Sequence, residues 1–201
     1  MRAVVLNCTL KPGPETSNTE ALAREVCNAL SEHGVESELI RVVDSNVATG
    51  VTSDEGEGDG WPEIRQKILA AEILILATPT WVGQPSSVAQ KVVERLDAML
   101  SETDDADRPV AYNRVGGIVV TGNEDGAHHI IGVLAQVLID VGFTVPGQSW
   151  TYWNRGPGAG PSYLETDEKH DWSIKQARVA ASNLVAVARA LAATPIPPPP
   201  G

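Results

Sequence analysis

The sequence predicts an α/β domain: a five-stranded parallel sheet held between two layers of helices. Three observations carry this. Short apolar segments alternate with helix-period segments along the chain, the pattern of strands joined by crossover helices. Two of the apolar segments, Ile73-Leu74-Ile75-Leu76-Ala77 and Gly117-Ile118-Val119-Val120, have no polar member, as strands covered on both faces require. The length, 201 residues with 42% apolar, suits one domain with a sizeable core.

The first strand is Val4-Val5-Leu6. The second, Val35 to Val42, is more polar and partly alternating, which suits an outer position. Ile73–Ala77 and Gly117–Val120 are the third and fourth, and the fifth is expected from Phe143 through Val145 towards Trp150. Between them run helical stripes: Leu22, Val26, Leu30; Val88, Val92, Leu96, Leu100; Ile130, Leu134, Leu138, Val141; and Ile174 through Leu191. A shorter stretch from Trp61 to Ala70 has Pro62 in its first turn. Right-handed crossovers limit the topologies, and five such strands fit the flavodoxin-like order 2-1-3-4-5, a three-layer sandwich with helices on both faces. Ligands of such sheets sit beyond the carboxyl ends of the strands, near the switch point, so the loops after strands one, three and four are the candidate site.

Composition excludes several classes. A formal net charge of -11 repels phosphate backbones, so no nucleic-acid partner is expected. Cys8 and Cys27 form no CxxC pair, which leaves zinc ribbons and iron–sulfur clusters without ligands; both are expected as buried thiols. No apolar run reaches membrane-spanning length and no signal peptide precedes the first strand, so a cytoplasmic protein without a membrane span is expected. Asn46 to Gly60 is acidic and Gly-rich, fails calcium-loop spacing, and reads as a solvated flexible loop. The domain is expected over residues 1–193, followed by a Pro-rich disordered tail over 194–201.

After strand one, Thr9, Ser17, Asn18 and Thr19 gather short donors where a helix begins, and helix N-termini bind phosphate through N–H groups and dipole. Ser17 with Glu20 also matches a capping box, a purely structural use. Lys11 either adds charge from the rim or points into solvent. Neither a Walker A sequence nor a GxGxxG follows strand one, and Gly156-Pro157-Gly158-Ala159-Gly160 reads as a loop. After strand three, Pro79 stiffens a turn, Trp81 offers a large flat surface and Gly83 permits close backbone approach. After strand four, Thr121, Gly122, Asn123 and Gly126 make a Gly-rich loop, with Glu124 and Asp125 expected to cap the next helix. His128 and His129 are adjacent and cannot face one way; His128 is the candidate proton donor, against the ordinary reading of a helix-surface histidine.

A first strand followed by a long loop ending Ser17-Asn18-Thr19, together with Pro79-Thr80-Trp81-Val82-Gly83 after strand three, resembles the NAD(P)H-dependent FMN reductases of the flavodoxin-like superfamily. The resemblance covers about residues 1 to 190 and implies one bound FMN. Thr9, Lys11, Ser17, Asn18 and Thr19 would wrap the phosphate. Pro79, Thr80, Trp81, Val82 and Gly83 would face the isoalloxazine. Thr121, Gly122, Asn123 and Gly126 would surround the pyrimidine edge. The implied reaction takes hydride from NAD(P)H through FMN to a small-molecule acceptor: a quinone, an azo or nitro compound, or free flavin. A homodimer or homotetramer is implied too. The alternative is a flavodoxin-like electron carrier that binds FMN without reductase activity of its own, which the acidity favours.

Overall fold

The computed structural model of the chain describes residues 1–157 and 160–200. Gly158 and Ala159, inside the Gly-rich run, and Gly201 lie outside the described residues. The strands are β1 (Arg2–Asn7), β2 (Glu36–Arg41), β3 (Ile73–Trp81), β4 (Gln84–Pro85), β5 (Val115–Gly122) and β6 (Trp150–Asn154). The helices are α1 (Asn18–Ser31), α2 (Trp61–Leu69), α3 (Ser87–Leu96), α4 (Ala127–Val141) and α5 (His170–Ala193). The parallel order is β2-β1-β3-β5-β6, with β4 folding back on β3 as a two-residue antiparallel hairpin arm. With β4 set aside this is the expected 2-1-3-4-5 order.

Alternation within the strands assigns the layers. Val4, Leu6, Leu74, Leu76, Ile118 and Val120 face α2, α3 and α4. Val5, Ile73, Ile75, Ala77, Val115 and Val119 face α1 and α5. Cys8 is fully buried in the first layer, and burial pushes its thiol up to about 12, so it stays protonated and inert. Cys27 is only half-buried, packed against the margin of the second layer's core.

Two expected element bounds are corrected. The fifth strand begins at Trp150, not near Phe143; Pro146 has no N–H to give and Gln148 adopts φ 55°, so only Thr144 bridges to Val115 beforehand. Trp150, Tyr152 and Trp153 therefore lie within the edge strand itself. Leu100 does not continue α3: the chain tightens into a 3-10 turn over Asp97–Ser101 and Leu100 is exposed.

The acidic loop is pinned, not loose. One Asp59 carboxylate oxygen accepts from the amides of Ala48 and Trp61, both at 3.0 Å, and the other accepts from Glu55 N at 3.0 Å and Arg95 Nη2 at 2.7 Å. Both side chains of that pair are buried, and the Arg95 guanidinium lies 5.8 Å over the Trp61 ring. Residues of the loop that face water, such as Asp54 and Glu57, keep the expected exposure. The C-terminal segment is also held at its start. Asn113 Oδ1 accepts from Ile196 N at 2.6 Å and Asn113 Nδ2 donates to Ile196 O at 3.3 Å; Pro197–Pro200 have no regular structure.

Candidate functional site

A cleft opens where β1 and β3 release their loops, at the carboxyl edge of the sheet. Its phosphate-sized end is built by the loop from Thr9 to Ser17. Ser17 is the N-cap of α1, its hydroxyl accepting from Glu20 N at 3.1 Å. The N–H groups of Asn18 and Thr19, the first of the helix, precede any intrahelical acceptor. The Thr19 hydroxyl meets that of Thr121 at 2.8 Å, tying α1 to the end of β5. Thr9 Oγ1 accepts from Lys11 N at 3.3 Å, and the Lys11 ammonium folds over the loop onto the Thr16 carbonyl at 3.2 Å.

The loop is fastened from β2. Arg41 donates to the carbonyls of Glu15 at 2.8 Å and Lys11 at 3.3 Å and pairs with Glu20, while Asp44 accepts from Gly13 N at 3.0 Å. Glu20 does not complete the capping box. Partial burial opposes its charge, but hydrogen bonds from Arg41 and Arg24 outweigh that and hold its carboxyl below the usual range. Arg41 and Asp44 carried no signal in the sequence, since neither lies near a motif.

Of the expected residues, Thr9, Lys11, Asn18, Thr19, Pro79, Thr80, Trp81, Thr121, Gly122 and Asn123 line the cleft. Ser17 stands behind it as the cap. Val82, Gly83 and Gly126 support its rim: Val82 is 88% exposed with φ 52°, and Gly126 packs so closely on the hairpin that an added Cβ would lie 2.9 Å from Gly83 Cα. Glu124 does not cap α4, whose N-cap is Gly126 without a side-chain bond; its carboxylate accepts from Val82 N at 2.8 Å instead. His128 is not among the lining residues. Its ring packs edge-on against Tyr152 at 5.1 Å and Trp150 at 5.9 Å, in the first turn of α4.

Sequence reading missed one wall. Leu10, Trp153, Ser162 and Tyr163 also line the cleft. Tyr163 stacks on His170, with centroids 3.9 Å apart and planes at 14°, and Trp153 meets Tyr163 edge-on at 5.7 Å. Leu164 N donates to Asn18 Oδ1 at 3.0 Å, so this wall is hung from the start of α1. Burial, with a smaller push from Glu25, raises the Tyr163 phenol to about 12; it remains protonated at neutral pH. The Ser162–Glu165 capping box was the available signal for this turn.

The arrangement fits FMN. Lys11 is the only charged side chain among the described residues lining the cleft, in a chain of net charge -11, so a phosphate meets no carboxylate there. Thr80 lines the cleft at 4% exposure, and its buried hydroxyl, packed beside Gly122, has no partner among the described residues, a polar atom that a ligand group would satisfy. Trp81, 53% exposed at the rim, offers a flat apolar face. Replacing Thr80 with Val tests this: the empty protein should unfold at the same or slightly higher denaturant, while FMN titration should show affinity weakened several-fold, the scale of one hydrogen bond of about 1 kcal/mol. Unaltered FMN affinity would remove Thr80 from the ligand.

A parallel three-layer sandwich with a phosphate-competent cleft at its switch point defines a flavodoxin-like protein. This chain belongs to the NADPH-dependent FMN reductase family, which matches it over residues 1–157. FMN is the cofactor of that family and NAD(P)H its electron donor. The chain is 33% identical to the 8-demethyl-8-aminoriboflavin-5'-phosphate synthase of Streptomyces davaonensis, over 97% of this chain and 80% of that one. It is 36% identical to the divalent metal cation transporter MntH of Mycobacterium bovis over 96% of this chain, but spans only 29% of the transporter's length. The crystal structure of RosB with a bound intermediate, 8-demethyl-8-formylriboflavin-5'-phosphate, superposes with a TM-score of 0.89 at 33% identity, covering 98% of this chain and 82% of RosB. No helix among the described residues is long and apolar enough to cross a membrane. The matched family segment ends before Ser162 and Tyr163, so these two lining residues lie outside it.

Proposed function

We propose that the chain is an FMN-dependent NAD(P)H oxidoreductase acting on a small-molecule acceptor: a quinone, an azo or nitro compound, or free flavin. The observation that carries this reading is the cleft itself, with its uncharged lining around Lys11, the orphaned Thr80 hydroxyl and the half-exposed Trp81. Bound FMN supplies hydride acceptance and electron delivery. The chain's own residues bind and orient. Asn18 and Thr19 place the phosphate, Thr80 offers a hydroxyl, and Trp81 covers a flat ring and excludes water. Nothing in this reading needs a side-chain nucleophile, and His128 holds no part in it. The aromatic side chains Trp150, Tyr152 and Trp172 on and beside edge strand β6, with Trp172 44% exposed, support assembly as a homodimer or homotetramer.

A second reading has specific support. The similarity to a flavin-phosphate synthase over nearly the whole chain favours a riboflavin phosphate as substrate, modified in the same cleft.

The test is the visible spectrum of the purified chain with FMN, before and after NADPH under anaerobic conditions, with light scattering on the same sample. Flavin bands that bleach and return on adding a quinone are expected. Bands that persist favour the electron carrier. A changed flavin recovered from the protein favours the synthase-like reading. No uptake of FMN overturns all three.

A further inference from the structure

A single carboxylate joins two of the loops that shape the cleft. Val82 and Gly83 form the two-residue turn between β3 and β4, with φ 52° and 71°. Both values lie in the left-handed region, where Asn-Gly or Asp-Gly turns are favoured and a β-branched residue is strained. Val82 is 88% exposed, so packing does not hold it there. Its amide donates at 2.8 Å to Glu124, from the loop after β5. Gly126 of that same loop, at φ 119°, lies against Gly83. The hairpin carries Trp81 at the cleft, and the end of β5 and its loop carry Gly122 and Asn123 there.

We propose that Glu124 is a positioning residue, a strap that sets how closely the Trp81 hairpin stands to the β5 loop and so the width of the slot for the flavin ring. A carboxylate suits the task because its hydrogen bond to a backbone N–H is stronger than a neutral one. Glu124 does not line the cleft; its carboxylate is engaged by the Val82 amide. The effect on ligand rests on the FMN reading above; the strap itself does not.

The test uses Glu124→Ala and Glu124→Gln in the full chain. In the empty protein, amide exchange at Val82 should speed up about tenfold in the Ala variant, and FMN affinity by absorbance titration should fall about tenfold, as expected for one charged hydrogen bond. Gln keeps an acceptor oxygen and should restore both to within roughly threefold of the parent. Adding Val82→Asn, a residue at ease in the left-handed region, should recover most of the affinity lost in Glu124→Ala. Parent-like Val82 exchange in Glu124→Ala would overturn the strap, as would a Gln variant as impaired as Ala. If the parent takes up no FMN, the functional reading fails while exchange at Val82 still decides the strap.

Discussion

Replacing Asp59 with Ala should destabilise the fold by about 3–5 kcal/mol, the cost of leaving one member of a buried ion pair without its partner. Arg95 has no exposure, and its remaining contacts are Ala48 O at 3.1 Å and the Trp61 face. The amides of Ala48, Glu55 and Trp61 lose their acceptor in the same change. Burial opposes ionisation of Asp59, but the three amides and Arg95 outweigh it, holding the carboxyl well below the usual carboxylate range. The sign follows. A folded-state pKa below the unfolded value of about 3.9 gives stability that is fully present above that pH and is lost as pH falls through the depressed value. Urea unfolding of the parent and of Asp59→Asn should therefore differ most near neutrality and converge in acid. Equal midpoints at neutral pH would mean that loop 46–60 contributes little to the fold.

Trp153→Ala should cost about 3–5 kcal/mol and most of the FMN affinity together. The side chain is 1% exposed, its Nε1 donates to Glu168 O at 2.7 Å, and its ring supports Tyr163. Removing it opens a cavity in the Trp153–Tyr163 wall of the cleft and loosens the turn that carries Ser162. Trp153→Phe keeps a ring edge against Tyr163 and loses the N–H bond, so a loss of about 1 kcal/mol is expected. Denaturant midpoints and FMN titration of both variants check this. An Ala variant that loses stability but binds FMN as the parent does would make Trp153 a core residue only.

Legibility in the sequence followed the range of the interactions. The sheet order was readable because the Ile73–Ala77 part of β3 and the Val115–Val120 part of β5 are apolar while β2 is not, a contrast set by how many faces each strand buries. Ser17, Asn18 and Thr19 were readable because capping is local chemistry, and Pro79 to Gly83 because turn residues act on their own backbone. Trp153 and Tyr163 were not, because their place in the cleft depends on the return of the chain after β6 to α1, through Asn18 and Leu164, 146 positions apart. Glu124 looked like a helix cap because it lies three positions before the start of α4; its actual partner, Val82, is 42 positions away. Asp59 looked like one of several solvated acids, and only its meeting with Arg95, 36 positions on, sets it apart.

The clasp between Asn113 and Ile196 bears on how the molecule can be attached to something else. Asn113 lies just before β5, at the amino end of the strands, whereas the cleft lies at the other end. β5 has eight residues, so about 25 Å of sheet separates the two ends. The C-terminal segment is thus held at the end of the sheet opposite the flavin cleft. A tag on the C-terminus, bound to a sensor chip or an electrode, should present the cleft to solution, whereas a linkage through Val82 or Leu10 would turn it to the support.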